Sequence, residues 1–126
     1  MRRILLFLSI ILLSVSCKKS NNGGSTVEYK FTSDVSASYK IEYSSDVDNV
    51  NTETFQGTSW TKTVILKRNP SFANISTARL VAYPPSTWPA SVTSAHVNLK
   101  ILVNGVEKAN SDTVMTTGSV FQLYTF

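Results

Sequence analysis

From Val27 onward, apolar and polar side chains alternate residue by residue. Val27, Tyr29 and Phe31 interleave with Glu28, Lys30 and Thr32. Tyr39, Ile41 and Tyr43 interleave with Lys40, Glu42 and Ser44. Val97, Leu99, Ile101 and Val103 interleave with Asn98, Lys100 and Leu102. Successive strand side chains point to opposite faces, so a period of two describes strands with one buried face. No helical period follows the N-terminal leader.

The punctuation divides this pattern into short strands. Residues 33–38, with Asp34 as turn residue, read as a hairpin turn between strands 27–32 and 39–44. Residues 44–54 read as a loop, with 52–56 as a short edge strand. After Gly57, residues 59–67 form a strand with Val64 and Leu66 expected inward. Arg68-Asn69-Pro70 ends it, because proline cannot donate to a strand ladder. Residues 71–77 connect to a strand at 78–83. Residues 83–94 hold three of the four prolines and form a loop. The strand at 97–103 runs into Asn104-Gly105, a strong hairpin signal, since a type I′ turn needs positive φ at both central positions. Residues 106–111 return, and 113–117 and 120–126 close the domain around Gly118. About seven short antiparallel strands imply an all-β sandwich.

The first 26 residues are of another kind. Arg2 and Arg3 precede an apolar run, residues 4–15, of signal-peptide length and too short to span a bilayer comfortably. Leu13-Ser14-Val15-Ser16-Cys17 resembles a lipobox, in its looser Bacteroidota form because Ser14 stands where a strict lipobox has a branched apolar residue. The alternatives are a transmembrane anchor or an ordinary secretory signal. Cys17 is the only cysteine, so no intramolecular disulfide can form. Acylation, as by palmitate, would remove an exposed thiol and supply a stable anchor. The expected organisation is a signal peptide over residues 1–16, a lipidated Cys17 with a flexible tether over 17–26, and one domain over 27–126. The tether is polar and rich in Gly, Ser and Asn. The expected location is the bacterial cell envelope: the outer membrane, facing the periplasm or the cell surface.

Charge argues against nucleic acid. Arg2, Arg3, Lys18 and Lys19 account for four of the twelve basic residues, leaving eight against eight acidic ones in the domain. A neutral domain lacks the concentrated basic face that nucleic-acid binding requires.

Val27-Glu28-Tyr29-Lys30, the strand 39–43, Ser59-Trp60-Thr61-Lys62-Thr63-Val64, Leu80-Val81-Ala82 and the run 97–105 occur in an order that resembles the MmpS-like family. Those proteins are small, membrane-tethered, immunoglobulin-like sandwiches with a turn like Val103-Asn104-Gly105-Val106. Mycobacterial members are accessories to large lipid and siderophore exporters. The resemblance implies an immunoglobulin-like sandwich and an envelope transporter as partner. It implies no catalytic residue. The chain departs from the family in its lipidated anchor and its longer proline-rich loop.

Chemistry-bearing residues are sparse. His96 is the only histidine, no nucleophile motif accompanies it, and no ligand spacing for a metal is present. Asp46 and Asp48 form an isolated Asp-x-Asp without the calcium-loop pattern. Asn74-Ile75-Ser76 matches a glycosylation sequon by chance in a bacterial lipoprotein. No cofactor is expected. Tyr83 and Trp88, on a proline-stiffened loop, are the candidate ligand-binding residues, against the plainer role of capping the open end of the sandwich. The closing residues 120–126 resemble the last strand of an outer-membrane barrel, but a sandwich strand suits so short a chain better. The expected function is a non-enzymatic, lipid-anchored envelope protein acting as an accessory or interaction module. The alternatives are a surface module binding a ligand or glycan through Tyr83 and Trp88, or a small envelope enzyme or inhibitor.

Overall fold

The computed structural model describes residues 24–68 and 75–126. The signal peptide, Cys17, most of the tether and the Asn69-Pro70 stop lie outside the described residues. Among the described residues there are six antiparallel strands and no helix: β1 Gly24–Asp46, β2 Asn49–Lys67, β3 Thr77–Tyr83, β4 Ala95–Val103, β5 Val106–Met115 and β6 Val120–Thr125. The fold is all-β, and the sheet curls into a sandwich-like near-barrel.

The expected hairpin turn at residues 33–38 is absent. β1 runs unbroken through it for 23 residues. β2 likewise joins the expected 52–56 and 59–67 strands, and β5 runs unbroken from Val106 to Met115, so the described residues hold six strands. The polar stretch in β1 forms a bulge. Thr32 pairs with Ser59 and Ala37 with Gly57, so residues 33–36 stand opposite Thr58 alone. Extra residues on one strand bend it and increase its twist. Ser33 Oγ accepts the Val35 N–H (3.1 Å), and Asp34 Oδ1 accepts the His96 N–H (2.8 Å). The turn residue thus ties the bulge to β4. The reversal falls instead between Asp46 and Asn49.

The bend divides β1 into two halves with different neighbours. The first pairs with β4 from Val27↔Val103 to Ser33↔Val97. The second pairs with β3 from Lys40↔Tyr83 to Tyr43↔Leu80. β5 extends the first layer beyond β4, and β6 extends the second beyond β3. β2 follows both halves along the opposite edge.

Odd-numbered residues point inward in both halves. Val27, Tyr29 and Phe31 face Tyr39, Ile41 and Tyr43, all fully buried. β1 therefore packs against itself. Tyr29 meets Tyr43 with ring centroids 5.7 Å apart, and Phe31 meets Tyr39 at 4.9 Å. Each such ring contributes about 1.5–3 kcal/mol by leaving water. Their hydroxyls are satisfied: Tyr29 donates to the Ser44 carbonyl (2.9 Å), Tyr39 to the Val35 carbonyl (2.8 Å) and Tyr43 to Glu53 (2.7 Å). Burial is the main cause raising the Tyr29 and Tyr39 hydroxyl pKa values above their usual range.

β2 changes the parity of its inward face at Gly57. Glu53 and Phe55 point inward before it; Trp60, Lys62, Val64 and Leu66 do so after it. Gly57 carries this change at φ 147°, a conformation that L side chains rarely adopt. Leu66 is buried and Val64 packs on the core as expected, while Ile65 faces out. Asn104 and Gly105 have φ of 50° and 80°, as the hairpin between β4 and β5 requires.

Candidate functional site

The two loop aromatics do not form one site. Trp88 packs edge-on against Tyr39, centroid to centroid 6.5 Å, and lies partly buried against the core cluster. Tyr83 lies on the outer face of β3. Its hydroxyl donates to Glu42 Oε2 (2.9 Å), and the Lys40 ammonium sits 3.8 Å from its ring centroid. The hydrogen bond to Glu42, with partial burial, raises the Tyr83 pKa. Tyr39 and the pair Lys40 and Glu42 occupy opposite faces of β1, so Tyr83 and Trp88 are held on opposite sides of the sheet. Trp88 plugs the bend end of the sandwich. Tyr83 instead shares a shallow outer hollow of about 580 Å³ with Lys40, Pro84, Ser86 and Thr117.

His96 is half-exposed on β4. Its Nε2 lies 3.0 Å from Asp112 Oδ1, and no serine hydroxyl bonds to the imidazole among the described residues. It borders a second outer hollow of about 630 Å³, several of whose polar groups pair with one another. Asn98 donates to Asn110 (2.7 Å), and Lys100 pairs with Glu107 (3.1 Å). Asp46 Oδ1 accepts the Val47 N–H (2.8 Å), a turn contact. Among the described residues no three His, Cys, Asp or Glu side chains gather as a metal would require.

The most densely bonded polar group is Glu53. It accepts hydrogen bonds from the Tyr43 hydroxyl (2.7 Å), Trp60 Nε1 (3.1 Å) and Lys62 Nζ (2.5 Å). Lys62, then Tyr43, are the chief causes holding its carboxyl below the usual range. Trp60 also packs on Tyr43 at 5.4 Å. Glu53 and Lys62 lie on the two halves of β2, so the cluster clips the bent strand shut.

One surface escaped the sequence reading. Val114, Phe121 and Leu123 are exposed at 58, 62 and 50%. Phe121 and Leu123 alternate outward along β6, which pairs with β3 on one side only. A signal for it exists in the sequence: the fourteen residues after Asp112 carry no charged side chain. Edge strands normally carry charge or proline to discourage pairing. Here β2 has Glu53, Lys62 and Lys67, and β5 has Glu107, Lys108 and Asp112, whereas β6 has none.

Set against known proteins, the chain matches no family model and no characterised relative in sequence.

Proposed function

We propose that this chain is a non-enzymatic interaction module of the bacterial envelope, anchored through a lipidated Cys17 and serving a second envelope protein, with a transporter as the leading candidate. The observation that carries this reading is the uncharged β6 edge with Phe121 and Leu123 exposed beside it. A partner strand added there would satisfy the outward N–H and C=O groups of β6 and cover both side chains. The test is a cross-linking pull-down from intact cells with the wild-type chain, Cys17→Ala and Phe121→Glu. Capture of one envelope protein that is lost in Phe121→Glu supports the reading. Equal capture by wild type and Phe121→Glu sinks the role of the edge.

A second reading, a surface module for a glycan or small ligand, is favoured by the Tyr83 hollow alone. Trp88 does not contribute to it. Loss of glycan-array binding in Tyr83→Ala, with Trp88→Phe unchanged, would support that reading.

A further inference from the structure

We infer that the end of the sandwich from which the tether emerges is seated in the lipid interface, with Ile65, Ile75 and Val106 as its apolar contacts. The inference rests on the reading of Cys17 as the lipidated anchor.

Several contacts gather these residues at one end. Gly24, where the described chain begins, pairs with Lys67. A Cβ on Gly24 would stand 2.6 Å from Ile65 Cγ2, so the Ile65 side chain lies directly over the point where the tether joins. Thr26 and Asn104 exchange hydrogen bonds, Thr26 N–H to Asn104 Oδ1 at 3.0 Å and Asn104 N–H to the Thr26 carbonyl at 2.8 Å. That brings the β4–β5 turn, and Val106 after it, to the same end. Ser76, next to Ile75, donates through Oγ to the Lys67 carbonyl and pairs with Phe126.

Ile65 is 65% exposed, Val106 55% and Ile75 46%. They share one end of the domain from different strands, Ile65 on the outer face of β2 and Val106 opposite the buried Val103 at the start of β5; exposed apolar side chains at the end beside an anchor are the ones placed to enter lipid. The chain length says what covers this end. Six residues lie between Cys17 and Gly24, seven steps with a reach of about 25 Å fully extended. An acylated Cys17 sits at the bilayer surface, so this end is held within about 25 Å of lipid.

The charges here nearly cancel. Lys67, Arg68 and Lys108 face outward, and Asp46, Asp48 and Glu107 share the end. The described strands therefore add little net charge to the contact; Lys18 and Lys19 in the tether add a salt-sensitive attraction to anionic head groups, and apolar insertion is the part that survives at high salt. Val114 and Phe121 lie toward the other end of β5 and β6, away from the lipid and open to a partner.

The experiment uses the full chain, processed and acylated in the membrane, purified and reconstituted into phosphatidylethanolamine–phosphatidylglycerol vesicles. Single cysteines at Val106→Cys, Ile65→Cys and, on the distal loop, Ser86→Cys carry an environment-sensitive fluorophore. Brominated lipid is expected to quench the Val106 and Ile65 labels several-fold more than the Ser86 label, and to keep doing so at high salt. Equal, weak quenching of all three in protein that floats with the vesicles overturns the seating and leaves the anchor standing. Protein that fails to float overturns both.

Discussion

Glu53 and Lys62 stand nine residues apart on one strand, yet their carboxylate and ammonium meet at 2.5 Å across the bend of β2. With Tyr43 and Trp60 donating to the same carboxylate, the pair joins the edges of both layers. Replacing Glu53 by Gln keeps an acceptor and removes the charge. About 1 kcal/mol of stability should be lost, the value being modest because both side chains remain partly exposed. Urea denaturation followed by tryptophan fluorescence measures it.

The same pair sets a pH dependence. The folded-state pKa of Glu53 is depressed from its ordinary 4.5. Its contribution is therefore complete above that value and is lost as pH falls through the lower folded value. Lys62 is raised from 10.5, so its contribution is complete below that value and fades only at still higher pH. Wild type should lose urea resistance below pH 4.5 more steeply than Glu53→Gln. Parallel profiles would contradict the clip.

Gly57 tests the parity change in β2. An added Cβ would meet only Phe55 Cδ2 at 4.0 Å, so space is open and the cost comes from φ 147°. Gly57→Ala should destabilise by about 1–3 kcal/mol. Gly118→Ala, with nothing within 4 Å and no positive φ, should stay within about 0.5 kcal/mol of wild type.

Trp88 and Tyr83 should separate in a stability assay. Trp88→Ala opens a cavity against Tyr39 and should cost about 3 kcal/mol. Tyr83→Phe removes one part-buried hydrogen bond to Glu42 and should cost about 1 kcal/mol. Equal thermal shifts would contradict the division of the two residues between faces.

Asn104 supplies both a positive φ and the acceptor for Thr26 N–H. Asn104→Ala should lower stability by about 1–2 kcal/mol, whereas Asn104→Gly should recover part of it. Thermal denaturation of the two variants side by side checks the order.

Much of the fold was legible because its signals are local. The inward face of Val97 to Val103, the Asn104-Gly105 turn and the inward Val64 and Leu66 follow from alternation and from the φ each residue type tolerates. Residues 33–38 misled because a polar stretch in an alternating run suits a turn or a bulge equally well. Asp34 chose the bulge by bonding to His96, 62 positions away. Tyr83 and Trp88 are close in sequence, and only the pairing of β3 with β1 shows that they part to opposite faces.

The sequence by itself determined which side chains go inside along each unbroken alternating run, such as 27–31, 39–43 and 97–103, because a strand's period of two sends neighbouring residues to opposite faces. It also set the neutral charge of the domain and the uncharged run that ends the chain. The tertiary structure alone decided that residues 24–46 form one strand folded against itself, that Glu53 meets Lys62, and that Ile65, Ile75 and Val106 share one end. Those relationships come from register and bending between segments distant in the chain, and no local pattern encodes them.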